Sequence, residues 1–97
     1  MIEVRQTSTF AKWLKSLSDE SAKARITIRI RRLSLGNPGD VKPVGKGVSE
    51  MRVDYGPGYR VYFVKKGNAI VILLTGGDKR SQKKDIEAAI TLAKELE

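Results

Sequence analysis

The 97-residue sequence contains no cysteine and no histidine. Without cysteine, disulfide bonds, thiolate zinc sites and cysteine nucleophiles are excluded. Without histidine, no imidazole can act as a general base, which excludes every histidine-based triad and metal site. The 11 Asp and Glu residues are scattered, and their spacing resembles no calcium-binding loop. We therefore expect neither a metal ion nor another cofactor.

Long apolar runs are also missing. No stretch approaches the roughly 20 consecutive apolar residues that span a bilayer, and the segment Met1-Ile2-Glu3-Val4-Arg5 lacks the basic-then-apolar order of a signal peptide. We expect one domain over residues 1–97, located in the cytoplasm and without a membrane partner.

Positive charge is abundant and unevenly placed. The 19 Lys and Arg residues give a net charge of +8 and a pI near 10.0. Residues 25–84 carry most of the excess, so it belongs to a folded surface rather than to a basic tail. A strongly basic surface favours a polyanionic partner such as a nucleic acid.

Apolar residues repeat with strand and helix periods in turn, which predicts an α+β fold in the order β-αα-βββ-α. We expect a mostly antiparallel sheet with the helices packed on one face, and residues 40–47 as a connection. Gly76-Gly77 is expected to break the chain, and Ser81 to cap the last helix. The free face of the sheet would then carry Glu50, Arg52, Asp54, Arg60 and Tyr62. The predicted strands cover residues 2–6, 48–54, 59–64 and 69–75, and the apolar helix faces lie within residues 10–17, 22–33 and 86–96.

Several basic segments are candidates for binding phosphate. At residues 76–84, four cations crowd a predicted helix start, where glycines let an anion approach backbone N–H groups; a solvated charged helix start is the alternative. Arg52 and Arg60 lie on neighbouring predicted strands and can clamp a phosphate, or form ion pairs with Glu50 and Asp54. The basic side of the second helix is either solvated surface or an interface for nucleic acid or an acidic protein; it comprises Arg25, Arg29, Arg31 and Arg32.

Aromatic residues cluster near the turn that separates the two Arg-bearing strands. Tyr55, Tyr59 and Tyr62 can stack on bases of single-stranded nucleic acid. Half-buried packing is the alternative, and we favour it for at least one of the three. Trp13 lies on a helical apolar face and is expected in the core.

The segments 41–63 and 74–86, with Gly-Tyr-Arg-Val-Tyr at 58–62 and Gly-Gly-Asp-Lys at 76–79, resemble the RelE/ParE toxin superfamily. The nearest branch is the HigB-like and phage Gp49-like addiction module killer proteins, and the resemblance covers essentially the whole chain. It implies the toxin of a type II toxin–antitoxin pair. RelE-like and HigB-like members cut mRNA on the ribosome without metal, whereas ParE-like members poison DNA gyrase.

The resemblance also implies site residues and partners. Arg60 matches the Arg that holds the scissile phosphate, Lys79 takes the position of a phosphate-binding Arg, and Arg52 matches a basic residue on the preceding strand. The expected partners are mRNA, the ribosome and an antitoxin, a helix-turn-helix protein encoded next door. Residues expected to contact nucleic acid are Lys83, Lys84, Arg80, Lys42, Lys46 and Tyr62.

The chain departs from the family pattern where proton transfer is concerned. The catalytic Tyr of RelE aligns near Asp85, and the His used by HigB-type sites has no counterpart. Proton transfer from the 2′-hydroxyl then falls to a Lys, to Glu50, Asp54 or Asp85, or to the ribosome. The sequence favours a metal-independent endoribonuclease that inhibits translation; a gyrase poison and a non-catalytic nucleic-acid-binding module are the alternatives.

Overall fold

A computed structural model describes residues 1–96 and contains five strands and three helices. Glu97, the last residue of the predicted domain, lies outside the described residues. Within residues 1–96, no helix is both long and apolar enough to cross a membrane. In chain order the elements are β1 (Glu3–Gln6), α1 (Ser8–Ser16), α2 (Glu20–Ser34), β2 (Val41–Gly45), β3 (Val48–Val53), β4 (Tyr59–Lys66), β5 (Ile70–Asp78) and α3 (Gln82–Glu95).

The strands form one sheet in the order β1-β5-β4-β3-β2. Only the β1–β5 pair among these strands is parallel, so the predicted α+β class with a mostly antiparallel sheet is confirmed. The number of strands after the helical hairpin was predicted wrongly, since Val41–Gly45 forms the edge strand β2 rather than a connection. Pro43 fits there because an edge strand can do without one N–H donor.

The helices cover both faces of the sheet. Helices α1 and α2 pack on the face that carries Val61 and Phe63, whereas α3 packs on the opposite face against Tyr62 and Val64. The prediction that all helices lie on one face is therefore wrong for α3. The physical reason is that β4 is apolar on both of its faces, so each face needs a cover.

Capping side chains fix the starts of the first two helices. The Thr7 hydroxyl accepts a hydrogen bond from the Phe10 N–H at 3.0 Å and donates one to the Leu74 carbonyl at 2.6 Å. The Asp19 carboxylate accepts hydrogen bonds from the N–H groups of Ser21 and Ala22. Thr7 thus also ties α1 to strand β5.

The glycine pair Gly76-Gly77 lies inside β5, and the predicted chain break there is wrong. A Cβ atom on Gly76 would lie 2.3 Å from the Trp13 ring, and one on Gly77 would lie 1.7 Å from the Asp85 carboxylate. Both glycines are buried, and they let α1 and α3 approach opposite faces of the same strand. Close helix packing, rather than the approach of a phosphate, accounts for them.

Candidate functional site

A cleft of about 260 Å³ opens where β3, β4 and β5 meet the turn between β3 and β4. Arg52 and Arg60 are direct partners across β3 and β4, and Lys79 follows directly after β5. All three cations line the cleft, so cations from three separate segments converge. The full lining is Asp40, Arg52, Val53, Asp54, Gly58, Tyr59, Arg60 and Lys79.

The β3–β4 turn sets the position of Arg60. Gly58 adopts a φ of +81°, which favours glycine, and its carbonyl accepts a hydrogen bond from Arg60 Nη1 at 3.0 Å. A Cβ atom on Gly58 would lie 3.5 Å from both Arg60 Nη1 and Lys79 Cβ. Arg60 and Lys79 therefore both lie beside Gly58 at the cleft.

A buried carboxylate lies beneath the two arginines. Glu50 is 0% exposed, and its Oε1 accepts a hydrogen bond from Arg52 Nε at 3.0 Å. Its Oε2 accepts one from Tyr62 at 3.1 Å and one from Gln82 at 2.9 Å. Arg60 Nε lies 3.5 Å from the same Oε2 as an ionic contact, without the alignment of a hydrogen bond. One carboxylate thus contacts both guanidinium groups.

The charges in this network reinforce one another. Burial alone would raise the pKa of Glu50, but hydrogen bonds from Gln82, Arg52 and Tyr62, together with the charge of Arg60, lower it below the ordinary value of 4.5. The hydrogen bond to Glu50 raises the pKa of Arg52. Burial and the Glu50 charge raise the pKa of Tyr62 strongly. At neutral pH, Glu50 is consequently a charged acceptor and Tyr62 a neutral donor.

The predicted acid–base residues lie in three different environments. Asp54 is exposed and lines the cleft. Glu50 is fully buried and does not line the cleft, and both of its carboxylate oxygens accept hydrogen bonds. Asp85 accepts a hydrogen bond from the Ser81 hydroxyl and lies over Gly77, on the side of the sheet that α3 covers.

The prediction that Tyr62 contacts nucleic acid is wrong for this fold, because its side chain is fully buried beneath α3. Tyr55 and Tyr59 also pack, since they lie against the core between the sheet and the α1–α2 hairpin. Trp13 joins this core as predicted and contacts Tyr59 edge to face, with ring centroids 6.3 Å apart. All three tyrosines therefore contribute packing.

The remaining predicted nucleic-acid contacts are exposed and none of them lines the cleft; Lys46 lies at the end of β3 opposite to Arg52. Two of them lie on or beside the edge strand β2, and Lys46 there borders a second cavity of about 290 Å³ beneath α3. The other three follow β5 at the start of α3. In full, these residues are Lys42, Lys46, Arg80, Lys83 and Lys84.

The start of α3 differs from the predicted anion site. The Asp78 carboxylate accepts hydrogen bonds from the N–H groups of Arg80 at 2.9 Å and Ser81 at 3.2 Å. Ser81 was predicted as the cap, but its side chain caps no N–H of the helix. A protein carboxylate therefore already occupies the position proposed for a phosphate at these two groups.

Sequence reasoning missed two residues of this region, Asp40 and Gln82, and the contacts of a third, Arg29. Asp40 lines the cleft, Gln82 reaches Glu50 from α3, and Arg29 donates to the carbonyls of Arg52 and Pro38. Arg29 was identified in the sequence as a basic residue of the second helix, but nothing in the sequence showed which carbonyl groups accept its hydrogen bonds. Within residues 1–96, no group of three or more acidic side chains is arranged to hold a metal ion.

Comparison with known proteins gives a family and a fold. Residues 12–96 match the family described as "Phage derived protein Gp49-like (DUF891)". The chain is 50% identical over 95 residues to an uncharacterized protein of Haemophilus influenzae, covering 98% of this chain and 96% of that one. The conserved hypothetical protein HP0894 from Helicobacter pylori shares the fold, with a TM-score of 0.59 and 20% identity over 82% of this chain and 97% of that one. Gp49-like proteins are often associated with toxin–antitoxin modules.

Proposed function

The chain belongs to the Gp49-like family of phage-derived proteins, and from this premise we propose that it is a toxin that cleaves RNA without a metal ion. The observation that supports this most is the convergence of Arg52, Arg60 and Lys79 on one cleft. We further propose that residues 1–97 form one RelE/HigB-like toxin domain acting in the cytoplasm on ribosome-bound mRNA, with a neighbouring helix-turn-helix antitoxin as its partner.

The reaction would be an internal phosphoryl transfer. The RNA 2′-hydroxyl oxygen attacks the adjacent phosphorus, a P–O2′ bond forms and the P–O5′ bond breaks. The products are a 2′,3′-cyclic phosphate and a 5′-hydroxyl. Negative charge grows on the phosphate oxygens as the fifth bond forms, and Arg60, Arg52 and Lys79 would stabilise that charge.

Among the protein's own groups, the carboxylates and ammonium groups that line the cleft are placed to transfer protons. Asp54 lines the cleft and is exposed, so we assign it to accept the proton of the 2′-hydroxyl. Lys79 borders the same cleft and would donate a proton to the leaving 5′-oxygen. Glu50 is enclosed and holds the two arginines, which makes it a positioning residue rather than a base.

The exposed cations outside the cleft would bind RNA phosphates at increasing distance from the scissile one. Arg80, Lys83 and Lys84 lie at the start of α3, immediately beyond Lys79. Lys42 would contact the RNA beside the edge strand β2, and Lys46, in the turn at the far end of that strand, would contact it farther from the cleft. These contacts position the RNA without reading its sequence.

Induced expression followed by mapping of mRNA 5′ ends tests the proposal. Wild-type protein is expected to stop growth and create new mRNA 5′ ends. Arg60→Ala is expected to lower the cleavage rate by roughly 10²–10³-fold, the cost of losing one charged donor to a transition state. Lys65→Ala, at the other end of β4, is the matched control and should cleave like wild type.

Three outcomes would contradict the proposal. An Arg60→Ala protein that folds and still cuts mRNA would remove Arg60 from the reaction. A DNA damage response without mRNA cleavage would indicate a ParE-like gyrase poison instead. Salt-dependent RNA binding without growth arrest would indicate a non-catalytic binding module.

A further inference from the structure

A buried nitrogen atom of Arg60 lacks a hydrogen bond. Within residues 1–96, Arg60 Nε is the one buried side-chain nitrogen or oxygen atom without a hydrogen-bond partner, although it lies 3.5 Å from Glu50 Oε2. The other arginine beside this carboxylate is paired, because Arg52 Nε donates to Glu50 Oε1 at 3.0 Å. A buried donor left unpaired costs free energy, so the unpaired Nε calls for an explanation other than stability.

The nearest carboxylate oxygen has no lone pair left for that nitrogen. Glu50 Oε2 accepts hydrogen bonds from the Gln82 amide at 2.9 Å and from the Tyr62 hydroxyl at 3.1 Å. A carboxylate oxygen offers two lone pairs, and these two donors occupy both. Tyr62 is fully buried in the core, whereas Gln82 is only partly buried at the first residue of α3. Gln82 is therefore the donor that can be replaced without opening the core.

The loop before α3 holds Gln82 in place. The Asp78 carboxylate accepts hydrogen bonds from the N–H groups of Arg80 and Ser81, which fixes the backbone directly before Gln82. The amide then reaches across to Glu50 on β3. An amide is a neutral donor, so it occupies Oε2 without neutralising the carboxylate, as a lysine would, and without repelling it, as a second carboxylate would.

Arg60 consequently retains donors for an anion. An arginine side chain has five N–H groups, and within residues 1–96 Arg60 donates one hydrogen bond, from Nη1 to the Gly58 carbonyl. A full hydrogen bond between Arg60 and Glu50 would pair the guanidinium charge inside the protein and weaken its action on a ligand in the cleft. We propose that Gln82 is a positioning residue that occupies Glu50 Oε2 and so keeps Arg60 available to a phosphate group. The inference rests on the proposed function, in which that phosphate is the scissile one of RNA.

Replacing Gln82 by residues without an N–H donor tests this role. Gln82→Met keeps the length of the side chain, and Gln82→Ala removes the same donor without adding apolar bulk. In both variants Arg60 Nε is expected to donate to Glu50, and the affinity for inorganic phosphate should fall roughly tenfold, the equivalent of one charge-assisted hydrogen bond. NMR shifts of the ¹⁵N-labelled full chain measure the binding. Ala88→Met on the exposed side of α3 is the matched control and should bind phosphate like wild type.

The Arg60 Nε–H signal and a double-mutant cycle separate positioning from a merely structural contact. The signal is assigned by its absence in Arg60→Lys, and in Gln82→Met it should shift downfield and exchange more slowly with water. Glu50→Gln removes the charge that competes for Arg60, so in that background Gln82→Met should lower the phosphate affinity by less than about twofold. A contact that only fastened α3 to the sheet would leave the Arg60 signal unchanged.

The outcomes distinguish this inference from the proposed function. Four results would overturn the role of Gln82: no phosphate binding by wild type, unchanged affinity in both Gln82 variants, an equal loss in Ala88→Met, or an equal loss with and without Glu50→Gln. If phosphate binding weakens as expected but wild type cuts no RNA, the role of Gln82 stands and the endoribonuclease does not. If RNA is cut, Gln82→Met should slow cleavage and Ala88→Met should leave the rate unchanged.

Discussion

At Glu50, burial and charge act in opposite directions. Burial alone would raise the pKa of the Glu50 carboxylate. Hydrogen bonds from Gln82, Arg52 and Tyr62, together with the positive charge of Arg60, nevertheless lower this pKa. A carboxylate held in this way is a poor proton acceptor, because its oxygens are occupied and its charged form is favoured. Its effect on the site is to fix Arg52 and Arg60 relative to each other.

The sequence predicted part of this network. Alternation along β3 and β4 placed Arg52, Arg60, Glu50 and Tyr62 on one face, and the register confirms that Arg52 faces Arg60 and Glu50 faces Tyr62. The burial was not predictable, because Gln82 closes the network from α3 and a single sequence does not show where a distant helix lands. Tyr62 was therefore misread as an exposed contact.

Replacing Glu50 by Gln should make stability depend less on pH. The folded pKa of Glu50 lies below its ordinary value of 4.5, so its charge stabilises the folded state above that pH, and the stabilisation is lost as pH falls through the folded pKa. We expect Glu50→Gln to lower the free energy of unfolding by roughly 1–3 kcal/mol at neutral pH. The difference from wild type should shrink as the pH is lowered to about 3.

Urea unfolding of both proteins across this pH range measures the effect. Glu87→Gln on the exposed side of α3 is the matched control and should track wild type throughout. A difference that stays constant with pH would show that the Glu50 charge contributes nothing to folding.

At the level of elements, the absence of side chains at Gly76 and Gly77 allows two helices to pack closely against strand β5. Trp13 from α1 and Asp85 from α3 approach it at Gly76 and Gly77 from opposite faces. A glycine pair suits a turn and a close approach equally well, so the sequence could not distinguish them. The structure shows that the pair serves close approach rather than a turn, because α1 and α3 pack against β5 from its two faces.

Gly76→Ala should destabilise the protein by overpacking. The added Cβ would lie 2.3 Å from two atoms of the Trp13 ring, which is rigid and part of the packed core. We expect a loss of about 1–3 kcal/mol in the free energy of unfolding. Gly76 has no positive φ, so the loss measures steric crowding rather than backbone strain.

A double-mutant cycle with Trp13→Leu checks the cause of that loss. Removing the ring should abolish most of the cost of the alanine, although the single Trp13→Leu variant is itself destabilised. Costs that add independently would contradict the contact between Trp13 and position 76.

For the whole molecule, the charge profile predicts a basic surface but not the composition of the cleft. The cationic excess of residues 25–84 was readable directly, and folding brings part of it together as Arg52, Arg60 and Lys79. The same cleft also holds Asp40 and Asp54, which the profile could not place there. In the proposed function, short-range geometry would therefore select the phosphate inside the cleft, while the exposed lysines outside it would supply the longer-range attraction.

The salt dependence of RNA binding distinguishes specific phosphate contacts at the start of α3 from nonspecific attraction to a protein of net charge +8. The double variant Lys83→Ala/Lys84→Ala should reduce the slope of log affinity against log salt for a 2′-deoxy oligonucleotide by about 1.4, since each phosphate contact on a single strand contributes about 0.7. Lys65→Ala/Lys66→Ala removes the same charge at the opposite end of β4 from Arg60 and should leave the slope nearly unchanged. Equal reductions in both double variants would mean that net charge alone draws the nucleic acid, and that the start of α3 has no special part in holding it.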